Sequence, residues 1–474
     1  MSLTTAVVLA AGQSKRMRSS LPKVLHRAAG APLLGHCLAA LAPLDIERRV
    51  VVVSTASGEV AAAMADAGYR DVEYVVQDPP RGTADAVRVA IESIGEVQGP
   101  MLVLPGDAPL LTTATLTRLL AEHARSGAAA TLLTATATNP FGYGRVIRSG
   151  HEVTSIVEEG EASEDERGIH EINSGVYVFD GAKLADILPK VDCVNSQDEC
   201  YLTDTVALLR DEGEAIAALA TTDEEVAGVN TRAHLATVTA LLRKRACERW
   251  LDAGVNIVDP SSTFIDASVE IAPEATIHPF CFLEGTTTIG AGAEVGPHAR
   301  LVDSSIAEGG TVSWAVVKGS VVGPGATVGP FASLREGTRL ERGARVGSFV
   351  ETKKTHLGEG SKANHLTYLG DAEIGRGVNV GAGTITCNWD GTEKHETVIE
   401  DDAYIGSDTM IVAPARIGKR AATAAGSVVN RDVPDDALAV GAPARMMPGK
   451  GNRMNRPARG EPAGVGEENE EPRQ

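Results

Sequence analysis

The sequence predicts an α/β Rossmann-like domain followed by a left-handed parallel β-helix built from hexapeptide repeats. Three observations carry this. The first half alternates short aliphatic runs with stretches of helical periodicity. The second half repeats every six residues, a period that neither a helix nor an open sheet has. And 474 residues are too many for one ordinary core.

In the first half the aliphatic runs are Ala6–Leu9, Val50–Val53, Tyr74–Val76 and Met101–Leu104, with helical stretches such as Thr83–Ile94 and Thr115–Ala124 between and after them. That alternation reads as βα units in a mostly parallel sheet over residues 1–230. Ligands on such sheets sit beyond the carboxyl ends of the strands, so the chemistry is sought there. Residues 231–252 have helical periodicity and many charges, and read as a linker helix.

From 253 to 446 aliphatic residues recur six apart, as in Ile271, Ile277, Leu283, Ile289, Val295 and Leu301, then Val322 to Val346, then Ile399 to Ile417. Each repeat reads as one flat side of a triangular coil, its aliphatic residue pointing inward and its glycine at a corner. The three runs differ in phase, so loops or irregular turns are expected between them, near 351–362 and 387–397. Flat coil faces are commonly buried by self-association, and a homotrimer is expected. The tail from 447 to 474 is rich in Pro, Gly and charge and is expected to be disordered.

Lys and Arg number 44 against 63 Asp and Glu, a formal charge of −19. That balance argues against duplex nucleic acid or an anionic membrane surface as partner, since both need clustered cations. The six cysteines form no CxxC pair and their spacing suggests no disulfide framework, so free thiols in a reducing cytoplasm are expected. The N-terminus does not read as a signal peptide, and no apolar run reaches the ~18 residues of a membrane span.

The first strand runs into LAAGQSKRMRSSLPKVLH. After Leu9, the small residues Ala10, Ala11 and Gly12 let the backbone approach a base or phosphate closely. Arg16 and Lys23 supply two cations, as a triphosphate attacked at its α-phosphorus requires when pyrophosphate leaves. The segment is neither a Walker A loop nor GxGxxG. LPGDAPL sets Asp107 just past a buried strand, where an acid can hold Mg2+. Pro105, two residues earlier, removes a backbone donor.

With LAAG, SKRM, LPKVLH and the hexapeptide repeats together, the chain resembles the bacterial bifunctional N-acetylglucosamine-1-phosphate uridylyltransferase / glucosamine-1-phosphate N-acetyltransferase family, over about residues 4 to 445. The resemblance implies a nucleotidyltransferase first half that takes UTP, and synthesis of a nucleotide-activated amino sugar for peptidoglycan. It implies that Gln77 and the Gly82-Thr83 pair read the uracil, a task that suits a side-chain amide. Asn230 in VAGVNTR then matches a second metal ligand, and Gly144, Glu158 and Asn173 match sugar-binding segments.

In the second half, the segment from Ser348 to Gly391 breaks the six-residue rhythm and gathers polar groups. Acetyl transfer from a thioester to an amine needs a base, an oxyanion site and alignment of two substrates. His365, whose ordinary pKa lies near working pH, is the candidate base, with Glu351 to orient its ring. The resemblance puts the catalytic His at this place in SKANHLTYLGD. It also implies that Arg335, Lys353, Tyr368 and Asn379 hold glucosamine-1-phosphate, and that Ala382, Asn388, Trp389, Ser407 and Ala425 hold acetyl-CoA. Trp389 stands where many relatives have Tyr, which keeps an aromatic surface without the phenol. VGAPAR replaces a segment in which some relatives place an Arg for the coenzyme phosphates, a place Arg445 is positioned in sequence to fill.

Two other readings compete. A nucleotidyltransferase with a non-catalytic β-helix would leave the polar cluster around His365 without a use. A zinc hydratase on the same coil would need three histidines from adjacent coils. His356, His365 and His395 are available, with His356 and His395 expected in loops.

Overall fold

Runs of β-branched and aliphatic residues form the sheet of the first half. The elements are β1 (Thr4–Ala10), the small pair β2 (Arg27–Ala28) and β3 (Ala31–Pro32), α1 (Leu33–Leu41), β4 (Ile46–Val53), α2 (Ser57–Asp66), β5 (Glu73–Val76), α3 (Thr83–Ile94), β6 (Pro100–Pro105) and α4 (Thr113–Ser126). There follow β7 (Ala130–Thr136), β8 (Arg145–Ser149), β9 (Glu152–Val157), α5 (Glu164–Arg167), β10 (Glu171–Asp180), α6 (Gly181–Ile187), α7 (Asp204–Asp211), β11 (Ile216–Thr221) and α8 (Arg232–Asp252). The computed structural model describes residues 4–12, 15–55, 57–95, 97–193 and 199–451. Most of the tail expected to be disordered, from residue 452 on, lies outside these. The chain divides into two compact units, 1–243 and 244–474.

In the first unit the strand order is β11-β7-β10-β6-β1-β4-β5. β1 pairs in parallel with β4 and β6, β4 with β5, and β7 with β11. β10 alone on this path runs antiparallel to its neighbours. The central strands are apolar on both sides, as a sheet covered on both faces requires. Val8, Val51 and Leu102 enter one core layer, and Val7, Val50 and Val103 the other. The ends of β1, β5 and β6 therefore open at one edge, with Gln77 and Asp107 just beyond their strands.

The first part of α8 packs Leu235 and Val238 with Met17, Leu33 and Leu110. Its last turns put Cys247 and Trp250 against the apolar interior of the second unit. Among the described residues no helix is long and apolar enough to cross a membrane.

The second unit is a parallel β-helix of the left-handed hexapeptide type, mostly a stack of two- and three-residue strands that pair with the strand one coil on. Ile277 lies over Val295, Val312, Val328 and Val346, all buried, and this column is one of the walls of the prism.

Near 351–362 there is a turn at 358–361 and no inserted loop. The turn joins two long strands, Arg345–Leu357 and Lys362–Ile374, that run side by side around the coil. The phase changes because coils shorten: Thr276 pairs with Glu294, Arg300 with Val316 and Arg345 with Lys362. The expected loop near 387–397 is present. Ala372 pairs with Thr397 across a coil lengthened by that insertion.

One expectation about cysteine is corrected. Cys193 and Cys200 form a disulfide. Backbone bonds explain why Cys200 is fixed: its N–H donates to Arg81 at 2.7 Å, and its carbonyl accepts from Ala84 at 2.9 Å. Cys193, seven positions earlier in the sequence, is bonded to it. Cys37, Cys247 and Cys281 are free and buried, and Cys387 is free and half-buried.

Candidate active sites

The strand ends of the first unit surround a cavity of about 650 Å³. Its lining includes Leu9, Ala11, Gly12 and Arg16 from the β1 turn, Gln77, Gly82 and Thr83 from the β5–α3 turn, and Glu158 and Asn173. Gly82 has φ 104°, and a Cβ there would stand 2.5 Å from the Cys200 carbonyl oxygen, so glycine alone fits. Ala10 ends β1 beside this cavity without lining it. Gly144 supports the far side: its carbonyl accepts the Asn173 N–H at 2.9 Å.

Glu158 is largely buried. Burial pushes its carboxyl above the ordinary range, and Asp204 and Glu199 add to this, while the Thr203 hydroxyl, donating at 3.1 Å, works the other way. The Asn173 amide donates to the Tyr177 oxygen at 2.6 Å. Tyr177 is buried, and burial pushes its phenol far above the usual range, so it stays protonated. Tyr177 and Thr203 line the cavity but escaped the sequence reading. Tyr177 lies in the quoted EINSGVY, whereas Thr203 comes from a distant segment with no local signal.

Next to the cavity, Lys23 forms an ion pair with Asp107 and donates to the Asn230 side-chain oxygen at 3.1 Å. Arg16 donates to the same oxygen at 3.1 Å. The Val229 N–H bonds to the Asp107 carbonyl at 2.9 Å and ties the two segments together. Thus two hard oxygen donors from separate segments already gather on one cationic group, and such a donor set fits a divalent cation.

In the β-helix, His365 is exposed on the strand Lys362–Ile374, in register with Ser348 of the preceding coil. Tyr368 is in register with Glu351, and Asn379 with Lys362. The expected bond from Glu351 to His365 is not made. Glu351 instead accepts from Arg335 at 2.9 Å, because the previous coil sets Ser333 beside it and brings the Arg335 fork within reach. Lys353 belongs to the same group. The Lys394 ammonium beside it, and then Arg335, push its pKa below the ordinary lysine value. Lys394, on the inserted loop, is a further cation that the sequence reading missed. The cluster gathers the cations Arg335, Lys353 and Lys394 around Glu351.

Ala382, Ser407 and Ala425 lie one above another on three consecutive coils. The same bond repeats between them: Asp408 N–H to Ala382 and Gly426 N–H to Ser407, at 2.7 and 2.8 Å. Small residues in a column leave an open edge along the prism. Trp389 is exposed on the inserted loop, and Arg445 is exposed on the terminal strand Arg445–Met447. Asn388 is different: it is buried, and its amide donates to Asp371 at 2.5 Å, so it braces the loop.

The three histidines of the zinc reading do not converge. His356 is on the strand Arg345–Leu357, not in a loop, and is held between Glu341 and Glu373. His395 bonds to Asp390 at 2.7 Å. Among the described residues the one grouping of such ligands is Asp390, Glu393 and His395, without His365.

Residues 6–170 match the family model of the MobA-like NTP transferase domain. The chain is 45% identical to the bifunctional protein GlmU of Streptomyces coelicolor over 438 residues, which is 92% of this chain and 91% of that one. It is 46% identical to the bifunctional protein GlmU of Thermobifida fusca, over 92% and 91% of the two chains. Against the protein of the same name from Brevibacillus brevis the identity is 43%, over 93% and 95%.

Proposed function

The chain belongs to the GlmU family of bifunctional proteins, and from that premise we propose that its two units carry out successive steps toward UDP-N-acetylglucosamine. In the β-helix, His365 takes a proton from the amine of glucosamine-1-phosphate. The freed amine attacks the thioester carbonyl of acetyl-CoA, and CoA leaves as the amide forms. Arg335, Lys353 and Tyr368 hold the sugar phosphate, with Asn379 at its hydroxyls. Ala382, Ser407 and Ala425 give the coenzyme its path along the coil edge, with Trp389 as its apolar contact.

In the first unit the phosphate of N-acetylglucosamine-1-phosphate attacks the α-phosphorus of UTP, the bond to pyrophosphate breaks, and pyrophosphate leaves. Gln77, Gly82 and Thr83 bind the uracil, and Gly144, Glu158 and Asn173 bind the sugar. Arg16 and Lys23 offset the charge of the phosphates. Asp107 and Asn230 hold Mg2+, which supplies further charge neutralisation at the phosphates.

The observation that carries the reading is that one cavity is lined by Leu9, Gly12, Gln77, Thr83, Glu158 and Asn173 together, beside the Lys23–Asp107–Asn230 cluster. Three self-associated copies are the expected assembly. Support comes from an exposed aromatic column at one corner of the coil: Phe280, His298, Trp314, Phe331 and Phe349. We place the enzyme in the cytoplasm, since its phosphorylated substrates do not cross a bilayer unaided.

The test is one incubation with glucosamine-1-phosphate, acetyl-CoA, UTP and Mg2+, the products read by mass. UDP-N-acetylglucosamine, CoA and pyrophosphate are expected. Omitting acetyl-CoA should abolish the sugar nucleotide. Folded protein that releases no CoA would instead favour a nucleotidyltransferase with a non-catalytic coil.

A further inference from the structure

The Gln77 side chain lines the cavity yet is 2% exposed. Its Nε2 donates to Asp85 Oδ2 at 2.7 Å and to the Gly82 carbonyl at 3.0 Å. Both partners are pure acceptors, so both amide hydrogens are used. A flipped amide would set its oxygen against a carboxylate and a carbonyl. The side-chain oxygen of Gln77 is therefore the atom left for a ligand, and it can only accept. Among the described residues no protein group donates to it.

The frame around this amide is stiff. Asp85 is 6% exposed in the first turn of α3, and its other oxygen is held by Arg88, which is anchored in turn on Glu92 at 2.6 Å. The Gly82 carbonyl has little freedom, because that residue is wedged against the Cys200 backbone. An acceptor fixed at this point suits a base with a ring N–H. Uracil offers N3–H. Cytosine offers a lone pair on the same nitrogen, and two facing acceptors repel.

We propose that Asp85 is a positioning residue that sets the preference for uracil over cytosine by locking the Gln77 amide with its oxygen toward the base. The proposal rests on the reading of this cavity as the uridine site. Asp85 touches no substrate; it acts through Gln77.

The experiment compares kcat/KM for UTP, 5-methyl-UTP and CTP in the full-length protein, its Asp85→Leu variant and its Asp85→Asn variant. In Asp85→Leu the UTP:CTP ratio should fall by about tenfold as the KM for UTP rises. The UTP:5-methyl-UTP ratio should stay within about twofold, because both bases carry N3–H. Asp85→Asn keeps an acceptor oxygen for Gln77 and should retain most of the preference. Should Asp85→Leu not fold, Asp85→Ala removes the same acceptor and is read in the same way. An unchanged UTP:CTP ratio, an equal loss for all three nucleotides, or an Asn variant as unselective as Leu would overturn the proposal. A wild-type protein that turns over no UTP would overturn the uridine reading itself, which is a separate outcome.

Discussion

His365 and Asp107 divide the chemistry between the two units, and single substitutions should separate the two activities. The His365 side chain is exposed and stays out of the apolar interior, while its backbone keeps its place in the ladder whatever the side chain. His365→Ala should lower acetyl transfer by about 10²–10⁴-fold, the span usual for a positioned base, and leave uridylyl transfer at the wild-type rate. Asp107→Ala should do the reverse, since it removes an oxygen donor and leaves the Lys23 ammonium with Asn230. Separate assays of CoA and pyrophosphate release check both, and loss of both activities from either folded variant would contradict independent sites. The residues of these sites that the sequence made legible lie in short quoted segments: LAAGQSKRM, GT, PGD and HLTYLGD. Those it hid act from a distance. Thr203 reaches Glu158 across 45 positions, and Asp85 shows its purpose only when its carboxylate meets the Gln77 amide. The Glu351–Arg335 pair was likewise hidden, because coil register, which brings the two together, is not visible in spacing.

At the scale of elements, α4 is pinned at its start by one buried carboxylate. Glu225 accepts from the Thr112 N–H at 2.9 Å and from the hydroxyls of Thr112, Thr115 and Thr221 at 2.6, 2.9 and 2.6 Å. Burial works to raise its pKa, and the hydrogen bonds from Thr112, Thr221 and Thr115 together outweigh that, so the net shift is downward. A depressed carboxyl contributes stability that is full above its unfolded value, about 4.3, and is lost as pH falls through the lower folded value. Glu225→Gln should cost about 2 kcal/mol at pH 7, because the Thr112 N–H and three hydroxyls lose a charged acceptor. The difference from wild type should shrink toward zero in acid; urea unfolding at pH 7 and pH 3 measures both. A second constraint is covalent. The Cys193–Cys200 link closes a short loop, and Cys193→Ser should lower stability by about 2 kcal/mol on the chain-entropy account. A wild-type melting temperature in that variant would show the link to be without thermodynamic weight. Elements with strong periodicity were legible: β1, β4, β6, α3 and the six-residue columns all fall where the pattern puts them. The disulfide and the two long strands that meet at the 358–361 turn were not. The first depends on a tertiary anchor at Cys200, and the second on coils that shorten by a residue without opening a loop.

For the molecule as a whole, the least self-sufficient feature is one corner of the coil. Phe280, His298, Trp314, Phe331 and Phe349 occupy equivalent turns and all have φ between 49° and 61°. Non-glycine residues in this region cost about 1 kcal/mol each. Their rings nevertheless stack in a continuous column, with centroids 4.8, 4.2, 5.7 and 5.5 Å apart. Four of the five are large apolar side chains at 42–63% exposure. A strained and wet aromatic column is unfavourable in a lone chain and favourable once another copy covers it. Asparagine is well suited to the left-handed turn and has no ring to bury. Replacing Trp314, Phe331 and Phe349 with Asn should therefore relieve backbone strain while deleting the contact surface. The variant is expected to drop from three chains of 49.3 kDa to one by light scattering, with the melting of its coil no lower than that of a dissociated wild-type chain. If the triple variant keeps the wild-type mass, the column is not the surface through which copies of this chain meet.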